Sequence, residues 1–205
     1  MPSTADRPLD IEPLTASQRL RRTAVTRAVL DLLEGLPSEQ IQMREVSARS
    51  GVALATVYRY FPTKEQLLAA AMAAWNDHHV ERFKKRRAAI DFSTPAAERA
   101  LVLASANLGV YRHRPHHARL EIELHASADP YVIETLEQRA VNNRATLFEL
   151  IPDVSPDVAR VASLAIGGTL FTALALWTTG RISFARAQAN ITDVVRLTLA
   201  PRLTT

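Results

Sequence analysis

The chain has 205 residues, 47% hydrophobic and 22% charged, which is enough for a sizeable core in one large domain or two small ones. It contains no cysteine; this excludes disulfides, thiolate metal sites and a cysteine nucleophile, and suits a reducing cytoplasm. The net charge of +4 is uneven: residues 1–90 hold 14 Lys/Arg against 10 Asp/Glu, residues 91–205 hold 11 of each, and the excess points to a polyanionic partner for the N-terminal half.

The start, MPSTADRPLDIEPL, mixes acids and prolines without an apolar run, so it is no secretory signal and reads as a disordered tail over residues 1–16. Helix signals then recur along the whole chain, with few turn glycines and no β-branched alternation. A first helix over 17–34 carries Leu20, Ala24, Ala28 and Leu32 at steps of four, with Val25, Val29 and Leu33 beside them, and Gly35 stops it. Short helices follow over 43–50 and 53–60, with Gly51 between them. Thr63-Lys64-Glu65-Gln66 has the Thr-x-x-Gln form of a capping box, so a long helix starts there and runs to about residue 87. Thr94-Pro95, Asp129-Pro130 and Ser155-Pro156 each set a capping side chain before a first-turn proline, and Pro115 suits a first turn as well. Gly180 ends the next-to-last helix, and Ser183 begins the last, which reaches residue 199. The expectation is an all-α chain of about nine helices.

The stretch GVALATVYRYFPTKEQLL crowds Tyr58, Tyr60 and Phe61 into four positions and then breaks at a proline. Helix, glycine-centred turn and second short helix is the helix-turn-helix layout, whose second helix enters the major groove of DNA. Met43, Val46 and Ala48 can pack on Val52 and Val57, which leaves Leu54, Ala55, Thr56, Tyr58, Arg59 and Tyr60 facing outward. Lys64 and Arg44 each stand near a helix start, where free amides and the dipole favour a phosphate. A tyrosine ring packs while its hydroxyl bonds a phosphate oxygen, so Tyr58 and Tyr60 are read as DNA contacts and Phe61 as a core plug.

Over residues 17–70 these motifs resemble the TetR family of bacterial transcriptional repressors. The resemblance rests on the Arg44-acid pair, Gly51-Val52, the run from Thr56 to Phe61, and Lys64 with Leu67-Leu68 after it. It implies a helix-turn-helix domain over 17–62 and an effector-binding and dimerisation domain over 63–205. It also implies DNA contacts from Gln42, Arg44, Thr56, Tyr58, Arg59, Tyr60 and Lys64, with Arg21 and Arg22 reaching a phosphate or the minor groove. Positions 53 and 54, often serine and lysine in the family, are Ala53 and Leu54 here. The serine cap is lost, at a cost of about 1 kcal/mol, and Leu54 is left to touch a thymine methyl. YRYFPTKEQLL is further similar to the subgroup regulating steroid and fatty-acid breakdown in actinobacteria, which implies a lipid-like or CoA-ester effector.

In the second half, VASLAIGGTLFTALALWTTG is uncharged over twenty residues, the length of a bilayer span. Its glycines and hydroxyls, and the absence of a second such segment, favour a helix buried at a subunit interface over one in a membrane. A homodimer is the expected way to read two halves of a palindromic operator. The expected seam is Leu164, Gly167, Gly168, Phe171, Leu174 and Thr178 on one helix. On the last helix it is Phe184, Ala187, Ile191, Val194, Val195 and Thr198, giving a four-helix bundle. Trp75, Asn107, Tyr111, Phe148 and Trp177 are the candidate linings of an effector pocket.

His117, Glu121 and His125 stand four apart, with His113 and His116 near, and His78-His79 form a pair. Two histidines and a carboxylate on one helix face would suit zinc, but a hydrogen-bonded polar face is the ordinary use of such residues, and no metal or cofactor is expected. The rival readings are a metal-dependent helical hydrolase built on that cluster and a DNA-binding activator without ligand control. The expected reading is a cytoplasmic, non-enzymatic repressor released from DNA by a small hydrophobic effector.

Overall fold

A computed structural model describes residues 7–9, 13–87 and 89–200. Among them the chain is all helical: α1 Ala16–Leu33, a 3-10 turn Ser38–Gln40, α2 Met43–Ser50, α3 Leu54–Tyr60, α4 Lys64–Arg87, α5 Ala96–Gly109, α6 Pro115–His125, α7 Pro130–Phe148, α8 Pro156–Thr178 and α9 Phe184–Leu199. The chain forms two compact units, one of residues 1–77 with 119–139 and one of residues 78–118 with 140–205.

In the first unit α1, α2 and α3 pack on one another. Val25, Val29 and Leu33 of α1, Val46 of α2 and Val57 of α3 are at most 1% exposed, and Phe61 plugs the corner at 0%. Each such side chain stabilises the fold by about 1.5–3 kcal/mol through burial. Leu20 is 72% exposed, contrary to the expected stripe. A row of steps of four turns by about 40° per step around a helix of 3.6 residues per turn, so Leu20 starts on the side away from the core. α1 begins one residue earlier than expected, because Thr15 and Gln18 form a capping box. The described part of the expected disordered tail packs onto this unit: Pro8 and Leu14 are buried, and the Leu9 amide donates to the Tyr60 carbonyl at 3.3 Å.

In the second unit α5, α8 and α9 pack together. Ala100 and Leu103 of α5, Ala162 and Leu174 of α8, and Ala187, Ile191 and Val195 of α9 are buried. Gly180 adopts φ +72, the left-handed turn that ends α8, and Ser183 caps α9 through the Arg186 amide at 3.1 Å. Ser155 precedes the first-turn proline of α8 without a side-chain cap bond. Thr94 also makes no cap, its hydroxyl donating instead to the Asp91 carbonyl. The Arg99 guanidinium is 2% exposed and closes this unit: Nε donates to the Leu150 carbonyl at 2.6 Å, and its other nitrogens meet the Phe92 and Thr94 carbonyls and Asp153.

Candidate nucleic-acid interface

The turn between α2 and α3 is built from short local bonds. Gly51 sits at φ +68, where a β-carbon would be strained, and the Ser47 hydroxyl donates to the Val52 carbonyl at 2.7 Å. At the start of α2 the Gln42 amide donates to the Glu45 carboxylate at 3.1 Å, and the Gln42 residue is exposed. α3 follows with Ala53 at its N-cap and no side-chain bond there, as the missing serine implies. Thr63 caps α4 by accepting the Gln66 amide at 3.2 Å.

Of the expected contacts, Arg21, Gln42, Arg44, Leu54, Tyr58 and Arg59 are exposed, and Thr56 and Lys64 are half-buried. Leu54 is 39% and Tyr58 47% exposed, so the outer face of α3 offers an apolar group and a phenol side by side. Lys64 rests its ammonium on the Glu39 carbonyl at 3.1 Å. Two residues lie elsewhere than expected. Tyr60 is fully buried, hydroxyl included, and its ring lies under the Arg59 guanidinium at 5.8 Å. It is a core residue, because its position two after Tyr58 turns it to the opposite side of the helix. Arg22 is half-buried: it stacks on Phe61 at 4.7 Å and donates to the Tyr131 hydroxyl at 3.5 Å.

The charge is also distributed differently from a division at residue 90. Residues 1–80 carry nine Lys/Arg and nine Asp/Glu, and the chain's whole surplus lies in Glu81–Arg87, five cations against one acid. That stretch is the C-terminal end of α4, where cations also favour the helix dipole. Among them Lys84 pairs with Glu81 and Arg87 with Glu149.

The effector candidates divide between the units. Trp75 is buried in the first; in the second Tyr111 is buried, while Asn107, Phe148 and Trp177 are half-buried. Trp177 meets Phe184 edge-on at 5.3 Å, and Arg112 covers the other ring at 5.8 Å. A pocket of about 480 Å³ in the first unit is lined by Ser38, Glu39, Lys64, Leu68, Leu120 and Glu123 among others, and contains none of the five.

The expected dimer residues split as well. Leu164, Gly167 and Gly168 are exposed, and Phe171, Thr178, Phe184, Val194 and Thr198 are half-buried. Leu174, Ala187, Ile191 and Val195 are buried in the chain's own core, because the stripe of α9 packs on α5 and α8. In its place Val161 of α8 and Leu197 of α9 stand out, 49% and 82% exposed. Glu121 accepts from the Arg139 guanidinium through both carboxylate oxygens at 3.0 Å, so the carboxylate of the candidate His/Glu cluster is already in use. Among the described residues no three His, Cys, Asp or Glu side chains are grouped to hold a metal. His79 is held well below the usual histidine range, at about 4, by burial first and then by the charges of His78, Arg114 and Arg82.

An all-α chain, among the described residues, with an ordered helix-turn-helix and a second helix exposed on its outer face has the layout of the DNA-reading helix-turn-helix class. Residues 37–71 match the family model for bacterial regulatory proteins of the tetR family. That segment, which holds α2, the turn and α3, is what this chain shares with the tetR family of regulators. Over 99 residues it is 34% identical to the HTH-type transcriptional repressor KstR of Mycolicibacterium smegmatis, covering 47% of each chain. Over 57 residues it is 44% identical to KstR of Rhodococcus jostii, 28% of this chain and 27% of that one. The matches thus span about half, or less, of those relatives' length. The fold is that of a TetR transcriptional regulator from Rhodococcus (TM-score 0.77, 22% identity, 91% of this chain and 100% of that). It is also that of FadR from Bacillus subtilis, solved with stearoyl-CoA (TM-score 0.68, 17% identity, 87% and 97%).

Proposed function

We propose that this chain is a cytoplasmic, DNA-binding transcriptional repressor that reads a palindromic operator as a homodimer and leaves it when a small hydrophobic effector binds. The observation that carries the reading is the outer face of α3, with Leu54, Tyr58 and Arg59 exposed beside Arg44 and Lys64. Residues 17–62 are assigned the reading role and residues 63–205 the effector and dimer roles.

The dimer is supported by α8. It is apolar and long enough to cross a membrane, with a mean hydropathy of 1.6 over its best window, yet only 17% of that window is buried within the chain. A β-carbon built at Gly167 or Gly168 would meet nothing within 4 Å beyond its own stretch of helix, so that face is open to a second copy. α8 and α9 are packed neighbours joined over residues 179–183, and each adds an exposed leucine to the pair, Leu164 and Leu197. A lipid-like or CoA-ester effector is supported by the stearoyl-CoA with which the FadR of similar fold was solved.

The test is a mobility shift of the purified protein on fragments from around its own gene, across a salt series. Tight binding to one fragment that falls steeply with salt is expected, weakened in Tyr58→Phe and Lys64→Ala. Equal, weak binding to every genomic fragment after removal of bound ligand would sink the reading.

A further inference from the structure

We propose that the corner between α6 and α7, residues 119–139, sets the pose of the recognition helix, and that Arg7 and Gln66 are positioning residues that act through Glu134 and Asp129 without touching DNA. The proposal rests on the DNA-reading role argued above.

Four separate elements of the first unit each send one polar side chain to this corner. Arg7 of the N-terminal arm pairs with Glu134, and Arg22 of α1 donates to the Tyr131 hydroxyl. Ser38 of the 3-10 turn donates to the Glu123 carboxylate, and Gln66 of α4 donates to Asp129 Oδ2 at 3.0 Å. The last link is the tightest built. Gln66 is 2% exposed and lies in the first turn of α4, its amide held by Thr63. Asp129 uses its other oxygen to cap α7, accepting the Tyr131 and Val132 amides at 2.8 and 3.2 Å. One carboxylate therefore joins the first turns of two helices.

The links converge on the end of α3. The arm that Glu134 holds also donates its Leu9 amide to the carbonyl of Tyr60, the last residue of the recognition helix. Arg22 covers Phe61, the next residue, and Gln66 follows five positions later. α1, α2 and α3 share a core of their own, so these bonds are not what folds them. The Arg7 and Glu134 side chains are 50% and 65% exposed, too solvated for their pairing to hold a domain together, and suited instead to biasing an orientation.

The experiment uses the full-length protein and two readouts. Amide hydrogen exchange over α3 is measured without DNA, and affinity for the preferred fragment is measured across a salt series. In Arg7→Ala, Glu134→Ala and Gln66→Met, exchange at the end of α3 rises, and affinity falls roughly two- to thirtyfold. The slope of affinity against salt stays that of the wild type, because no phosphate contact is lost. The reversed pair Arg7→Glu/Glu134→Arg restores both readouts. Glu149→Ala, which removes an ion pair of similar type from the second unit, changes neither. Unchanged exchange in all three variants overturns the proposal whatever the DNA data show. So does a salt slope reduced by about one in Arg7→Ala with Glu134→Ala unaffected, since Arg7 would then be a phosphate contact. Wild-type protein without any preferred fragment would count against the DNA reading, and the exchange data would still decide the positioning.

Discussion

Tyr58 and Tyr60 leave α3 two residues apart and on opposite sides: Tyr58 is 47% exposed, whereas Tyr60 is fully buried and its hydroxyl has no hydrogen-bond partner among the described residues. The two rings answer to different measurements. Tyr60→Ala should cost about 3–5 kcal/mol of stability, while Tyr60→Phe should be neutral or slightly stabilising, because it removes a hydroxyl that was desolvated without compensation. Tyr58→Phe should leave the thermal midpoint unchanged and weaken operator binding, by about 1.5–3 kcal/mol if its hydroxyl bonds a phosphate. Denaturation curves and mobility shifts on the three single variants would separate the roles.

Ala53 offers a gain. It holds the N-cap of α3 at φ −54 and ψ 137 without a side-chain bond. Ala53→Ser should stabilise the protein by about 0.5–1 kcal/mol by satisfying a free amide of α3, measured as a higher denaturation midpoint.

Leu164 and Leu174 belong to the same helix, but Leu164 is 74% exposed and Leu174 is 1% exposed. Leu164→Arg should yield a folded monomer by sedimentation, with unchanged helical circular dichroism and lost operator binding. Leu174→Arg should instead fail to fold, because it buries an unpaired charge.

The lowered pKa of His79 has a definite sign. The unfolded chain takes up this proton near pH 6.5, and the folded chain takes it up only near 4. Between those values the unfolded state binds more protons, so stability falls as pH drops through the window and is unaffected by this group above it. His79→Gln should therefore flatten the dependence of the thermal midpoint on pH between 6.5 and 4.

Arg99 spreads its donors over three carbonyls and Asp153. Arg99→Ala should cost roughly 1–3 kcal/mol, because it takes the guanidinium donor away from the buried Leu150 carbonyl. Arg99→Lys should recover only part of this, since an ammonium cannot reproduce the planar fork. Urea denaturation would measure both.

The parts of this molecule legible in its sequence are those written locally. Gly51 at the turn, Thr63 before α4 and Ser183 before α9 carry their structural cause within three or four residues, and those boundaries are found where expected. Thr15 and Gln18 carry the same Thr-x-x-Gln signature as Thr63 and Gln66, so the start of α1 was equally readable. What periodicity does not tell is which body covers an apolar face. Ala187, Ile191 and Val195 do form a stripe, but its partner is the chain's own α5 and α8. Tyr60 and Leu20 exchange sides for a related reason, since spacing fixes angles around a helix and not where the core lies. The bonds from Arg7 to Glu134 and from Gln66 to Asp129 join residues 127 and 63 positions apart, and no local pattern announces them.

Residues 17–62, the part assigned to reading DNA, carry seven cations against four acids, and the balance over residues 1–80 arises only because acids outside that part offset them. In the DNA-reading role proposed above, a head with that surplus would gain long-range attraction to the duplex, so its arrival at an operator would slow as ionic strength rises.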